Sequence, residues 1–285
     1  MPRRKLTEQT QGDETIDVVE IAMGRAEFCV IGTTPLIQNR MSEKARQQLL
    51  FPPPPRNRAE RQATLKHDPT AEFRSSMYRS LNDAKPVARL HVPTGAFSRA
   101  LAAAARDIPG ATKAQMDRLT SVADVNISLY GVPQLFMAVV RQAGIAKTPD
   151  IRTRAILPRW ACRVTVEFVR PLLTERTVVN LFAAAGVIVG VGDDRPEKGG
   201  AHGKFRLCAQ DDPEFVHLLK NEARVAQDEA IANPTCYDAE SDELFGWFQH
   251  EVVRREKVRA VDTDDVALSN GRKVRRRRGE VEARP

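Results

Sequence analysis

The stretch RVTVEFVRPLLTERTVVNLFAAAGVIVGVGDDRPEKGGAHGKFRLCA, residues 163–209, carries the reading of the fold. At its start Val164, Val166 and Phe168 alternate with Arg163, Thr165 and Glu167, the period of a strand with one buried face. Thr174 stands where a helix cap belongs. Val178, Leu181, Phe182 and Ala185 follow at helical spacing, and Gly186 reads as a left-handed C-terminal cap. Residues 187–191 read as a second strand, 190–203 as a glycine-rich loop and 204–209 as a third strand.

Upstream, residues 17–31 read as extended structure rich in Val, Ile and Phe, with Gly24 as a turn or bulge, and Gly32-Thr33-Thr34-Pro35 ends the run. Residues 39–90 read as an excursion from the core. Asn39, Arg40, Lys44, Arg46, Arg56, Arg58 and Arg61 stud it, 42–50 suits a short helix, and Pro52 to Pro55 form a stiff segment. Residues 87–92 suit a strand. Thr94 suits the cap of a helix through Phe97 and Leu101, stopped by Pro109-Gly110, and Thr112 the cap of another. Residues 122–130 and 135–140 are expected to pair as a hairpin around Gly131-Val132-Pro133. Trp160 is expected in the core or at a sheet edge, with base stacking as the alternative.

Downstream, Asp212-Pro213-Glu214 starts a helix reaching about residue 230, and Asn233-Pro234 breaks the chain. Ser241 opens a last amphipathic helix, with Trp247 expected against the body. The order suits an α+β protein whose helices cover one face of an antiparallel sheet. Residues 1–15 are expected to be disordered, 16–254 to form one domain and 255–285 a flexible basic tail.

With 42% hydrophobic and 28% charged residues, a chain of 285 residues can bury a sizeable core. No run of eighteen apolar residues predicts a membrane span, and the basic start lacks the apolar stretch of a signal peptide, so the expected location is cytoplasmic. Cys29, Cys162, Cys208 and Cys236 are far apart in sequence, so free buried thiols in a reducing compartment are expected. No cofactor or resident metal is expected. The net charge of +7 is uneven: from Arg254 onward eleven basic and six acidic residues carry +5 of it. The body's positive charge must therefore be concentrated in particular loops. The Arg-rich cluster at 272–278 suits either salt-sensitive phosphate binding or a solubilising end.

Five glycines fall within residues 190–203, with Arg195, Lys198 and Lys204 among them. Glycine permits positive φ and close backbone approach, so this loop suits contact with a nucleic-acid backbone; a long hairpin with turn glycines is the alternative. The spacing matches neither a Walker loop nor a dinucleotide fingerprint. His202 suits a base or phosphate contact, or a plain turn. Asp193-Asp194 suits magnesium, or pairing with Arg195 and Lys198; His67-Asp68 suits an acid/base or metal pair, or a solvated loop.

The run Leu181-Phe-Ala-Ala-Ala-Gly186-Val-Ile-Val-Gly190-Val-Gly192, with Gly199-Gly200-Ala-His-Gly203-Lys204-Phe205, resembles the glycine-rich region of the RAMP superfamily, which includes the backbone subunits of CRISPR effector complexes. The segment Ile31-Gly32-Thr33-Thr34-Pro35-Leu36 resembles that family's first strand passing into its first loop. The resemblance covers residues 18–37 and 160–209. It implies a modified ferredoxin-like fold related to RNA-recognition domains, a thumb-like insertion at about 39–90, and head-to-tail assembly along a nucleic acid. It places Arg40, Lys44 and Arg46 where the family grips the backbone. Members that cut RNA use an aspartate after the first strand, and residues 32–50 contain none.

The expectation is a non-catalytic, sequence-independent binder of single-stranded nucleic acid, RNA favoured, assembling side by side with itself or with other effector subunits. Its contacts would be Arg40, Lys44, Arg46, Arg195, Lys198, His202 and Lys204, with close approach at Gly199, Gly200 and Gly203. The alternatives are a phage single-stranded DNA binding or annealing protein, a metal-dependent nuclease using Asp193, Asp194 or Asp68, and a structural assembly protein without nucleic acid.

Overall fold

The computed structural model describes residues 19–51, 67–80, 87–141 and 148–256. The N-terminal segment 1–15, Pro52 to Pro55 with Arg56, Arg58 and Arg61, and the 272–278 cluster lie outside the described residues, as does the side chain of Lys44.

The alternation at 163–169 is a strand. It forms the middle of β8 (Ala161–Arg170), with Val164, Val166 and Phe168 fully buried. Its neighbour is β1 (Ala22–Gly32), and ten antiparallel pairs run from Ala22 opposite Arg170 to Ile31 opposite Ala161. The strand passes through Gly24 without a bulge, because the Phe168 ring opposite lies where a Cβ would stand, within 2.6 Å. Similarly, the buried Trp160 indole lies over Gly32 and donates Nε1–H to Thr34 O at 2.9 Å.

The main sheet is completed by β3 (Leu90–Pro93), β4 (Thr120–Val122), β5 (Asn126–Tyr130) and β9 (Phe205–Cys208). The strand order is β3-β5-β8-β1-β9, with β4 also on β8 and every pairing antiparallel. A second sheet has the order β2-β7-β6: β2 (Leu36–Gln38), β6 (Gln134–Arg141) and β7 (Pro149–Leu157). The expected hairpin between 122–130 and 135–140 is therefore absent. β5 pairs with β3 and β8, whereas β6 pairs with β7. Gly131, at φ 133°, donates its N–H to Glu222 O at 2.9 Å and turns the chain from one sheet into the other.

Helix α1 (Glu43–Leu50) starts at Ser42, whose hydroxyl accepts from Ala45 N, and α2 (Pro69–Ser76) packs on β7. Helix α3 (Thr94–Ala104) begins after Pro93. Thr94 is thus inside the helix, and its hydroxyl donates to Val125 O at 2.6 Å instead of capping. Helix α4 (Lys113–Leu119) has the Thr112 cap, reinforced by Gln115 in a capping box. Helix α5 (Glu175–Ala184) has the Thr174 cap. Phe97 of α3 and Phe182 of α5 pack with Phe28 and Phe205 in one aromatic cluster, ring centroids 5.0–5.9 Å apart.

Residues 187–191 are not a strand. The helix continues as a π turn over Ala185–Val189 and stops at Gly190, at φ 71°. The helix-ending glycine with positive φ is therefore Gly190, not Gly186, and its ψ of 179° makes it an extended rather than a left-handed cap. Gly186 instead abuts β9, where a Cβ would come within 2.2 Å of Phe205 O. This close approach holds a β-branched run on a helical path against its propensity.

Helices are not confined to one face. Phe215 and Leu218 of α6 (Pro213–Asn221) bury Ile31 and Ala161 on the opposite side of the main sheet. The expected 212–230 helix is two helices, with α7 (Arg224–Ala232) following a break. Residues 239–256 form α8. Asp238 caps it by accepting from Ser241 N at 2.8 Å, and the buried Ser241 hydroxyl accepts from Met137 N at 2.9 Å. Trp247, 61% exposed, points away from the body. Among the described residues no helix is long and apolar enough to cross a membrane. The four cysteines are free, with Cys162 buried and the others half-buried; burial raises all four thiols, Cys208 to about 11.

Fully buried Gln227 joins α7 to the main sheet. Its Oε1 accepts from Arg89 N at 2.8 Å and Leu90 N at 3.2 Å, and its Nε2 donates to Leu129 O and Gly131 O at 2.8 and 3.1 Å. Gln227→Leu keeps the bulk but leaves buried backbone groups unpaired, each worth about 1–3 kcal/mol. We expect a loss of roughly 2–4 kcal/mol in urea denaturation; a loss near zero would show that these backbone groups find other partners.

Candidate nucleic-acid interface

The glycine loop docks on the segment that leaves β1. Gly203 N donates to Pro35 O at 2.7 Å, Thr33 N to Lys204 O at 2.8 Å, Lys204 N to the Thr34 hydroxyl at 2.9 Å and Asp193 N to Ile37 O at 3.0 Å. The two loops singled out in the sequence therefore meet. Three of the glycines are required by the chain's own packing. A Cβ at Gly192 would lie 2.5 Å from Leu36 Cδ1, at Gly200 1.9 Å from Asp194 O, and at Gly203 1.7 Å from Val191 O. Gly199, at φ 81°, has open space where a Cβ would stand.

The acidic pair in this loop is engaged inside the protein. Asp193 Oδ2 accepts from Asn39 Nδ2 at 2.9 Å and forms an ion pair with Arg154 Nη1. Arg154, on β7, is only 8% exposed and stands over the Phe136 ring. Asp194 accepts from the His202 ring, Oδ2 to Nδ1 2.8 Å, and Asp194 O takes the His202 N–H. Arg195 gives two hydrogen bonds to Glu197 Oε2, at 3.1 and 2.8 Å, and one to Gly192 O. Burial works against the charge on Glu197, but the Arg195 hydrogen bond and the charges of Arg195, Lys198 and Arg106 hold its carboxyl below the usual value. The partners of Asp193 and Asp194 are thus Arg154, Asn39 and His202 rather than Arg195 and Lys198.

His67 and Asp68 do not form a pair. His67 lies between Glu72, Nδ1 to Oε1 2.8 Å, and Asp150, Nε2 to Oδ1 3.1 Å, while Asp68 caps α2. Among the described residues no group of three or more His, Cys, Asp and Glu side chains is arranged to hold a metal ion.

Two adjoining cavities meet at Asn39. The first, about 260 Å³, lies between β2, α3 and the glycine loop; the second, about 530 Å³, lies between the start of α1, α2 and β7. Arg40 and Arg152 line the second, and Arg99 and Arg195 the first. Arg40, Arg99 and Arg152 make no ion pair among the described residues, unlike Arg154 and Arg195. The Arg40 charge also reaches His91, whose pKa is lowered by burial first and by Arg40 second. Arg46 is exposed on α1, Lys198 is exposed on a single 3₁₀ turn (Pro196–Lys198), and Lys204 is half-buried beside Thr34.

Arg99 and Arg152 were not legible as site residues. Arg99 sits in an alanine-rich helix, and Arg152 in a strand whose arginines mask its alternation. Comparison with protein-family models and with curated proteins gives no match for this chain.

The glycines of the loop should separate experimentally. Gly199→Ala meets no atom and carries only the left-handed penalty, about 1–2 kcal/mol. Gly203→Ala adds a collision with Val191 O and should lower stability by several kcal/mol, or abolish folding. Equal midpoints for the two variants in chemical denaturation would refute the internal role assigned to Gly203.

Proposed function

We propose that this protein binds single-stranded nucleic acid, RNA in preference, without sequence selectivity and without catalysis. The strand would lie where the glycine loop docks on residues 33–39. The observation that carries this reading is the set of three arginines that make no ion pair among the described residues, Arg40, Arg99 and Arg152, around the adjoining cavities. Unpaired guanidiniums beside a groove neutralise phosphates at little desolvation penalty, whereas Arg154 and Arg195 are committed to internal carboxylates. The fold supports the reading. Two strand–helix–strand units interleave so that β9, β1, β8 and β5 lie side by side, an order compatible with a ferredoxin-like domain, with α1 and α2 in the inserted part at 39–90 and α2 packed on the second sheet.

In this reading copies assemble side by side along the strand, as the backbone subunits of CRISPR effector complexes do. Exposed Met41, Leu50 and Phe51 at either end of α1 give the inserted part an apolar surface suited to a neighbouring copy.

The test is fluorescence anisotropy of labelled single-stranded RNA, single-stranded DNA and duplex across a salt series, with full-length protein. A second protein with Arg272, Lys273, Arg275, Arg276, Arg277 and Arg278 changed to Ser removes the charge cluster of the tail. Single strands should bind with a steep salt dependence. The combined Arg40→Ala, Arg99→Ala and Arg152→Ala variant should flatten the log–log slope by about 2, roughly 0.7 per phosphate contact. Binding that survives the triple variant and disappears with the tail substitutions would defeat the groove reading.

A further inference from the structure

The smaller cavity is built differently from the larger one. One part of its wall is apolar, with buried Leu36, Val92, Ala100 and Val191; the buried Gln38 amide lines it too, as do exposed Asn39, Arg99 and Glu197. Its volume, about 260 Å³, is below the roughly 300–1,000 Å³ of drug-sized sites and suits one planar ring system. Tyr78 lines the same cavity, and two contacts hold it. Its backbone N donates to Gln38 Oε1 at 3.0 Å, and its ring lies against His91, centroids 5.9 Å apart.

The polar groups at the mouth are oriented. Asp193 can only accept, so the Asn39 atom facing it is the amide nitrogen, and Oδ1 remains an acceptor with no donor among the described residues. The Arg99 guanidinium folds back over Gly95, 3.3 Å from where a Cβ would stand, and pairs with no carboxylate there. A slot with an apolar wall beside a tyrosine, with an acceptor and a cation that makes no ion pair among the described residues, matches a flat ring joined to an anion.

We infer that this cavity receives one unstacked nucleobase of the bound strand, with the adjoining phosphate on Arg99. The inference rests on the strand-binding reading and adds a base-holding site to it. Tyr78 supplies a ring face or edge, Asn39 accepts from a base N–H, and the strand continues past Asn39 toward Arg40 and Arg152.

The experiment uses the full chain and a short single strand carrying one central 2-aminopurine, read by anisotropy and by base fluorescence. Wild-type protein should change the 2-aminopurine emission on binding. Ala96→Leu fills the cavity without touching a cation, and Tyr78→Leu removes the ring. Either variant, once shown to be folded by circular dichroism, should weaken binding about tenfold, as loss of one base contact does. Either should also abolish the emission change while leaving the salt slope intact. A base-free sugar–phosphate strand should bind wild-type protein about tenfold more weakly as well, a comparison that needs no variant. Binding equal in wild type, the folded variants and the base-free strand, with no emission change, would overturn the base site and leave strand binding standing. No binding of any strand by wild-type protein would overturn both.

Discussion

The ten-pair ladder between β1 and β8 sets the position of everything else. A strand has period two, so a slip of one residue would carry either Phe28 and Val30 of β1 or Val164, Val166 and Phe168 of β8 out of the core. Two glycines protect the register from opposite ends, because Phe168 fills the space over Gly24 and Trp160 the space over Gly32. At the Trp160 end the indole N–H holds Thr34, and from there the chain enters β2 and the second sheet. The groove therefore begins at the best-fixed point of the core.

Against that ladder, the reading of the sequence succeeds where the signal is local and fails where contacts are distant. The β8 alternation, the Thr112 and Thr174 caps and the Asp212-Pro213 start are decided within a few residues, and each is found. Residues 187–191 read as a strand by β-branched content, but Gly186 packed against Phe205 O keeps them helical. Residues 126–130 and 134–141 read as a hairpin, but Gly131 turns toward Glu222, ninety-one positions on, and the strands part into separate sheets. Strand β7 was missed because Arg152 and Arg154 interrupt its apolar pattern, although Arg154 is buried against Asp193.

The site was legible to the same degree. Composition singled out the two basic loops, and the structure brings them into contact, with Arg40 lining the cavity beside them. What composition does not show is which cations are already committed. Arg195 lies in the most suggestive motif yet is held by Glu197, whereas Arg99, in an unremarked helix, makes no ion pair among the described residues. Availability of a charge is a property of its neighbours in space, and the neighbours here come from α3, β7 and the glycine loop.

The internal packing of Gly192, Gly200 and Gly203 has a bearing on how this surface would be mapped. A substitution scan scored by retention on a nucleic-acid column would register these positions as strongly as the arginines. The signal would come from a displaced loop that no longer holds Asp193 against Asn39 and Arg154. Such a map would draw the interface too wide by a whole segment of chain. Only a paired measurement of folding, position by position, would return it to its true outline.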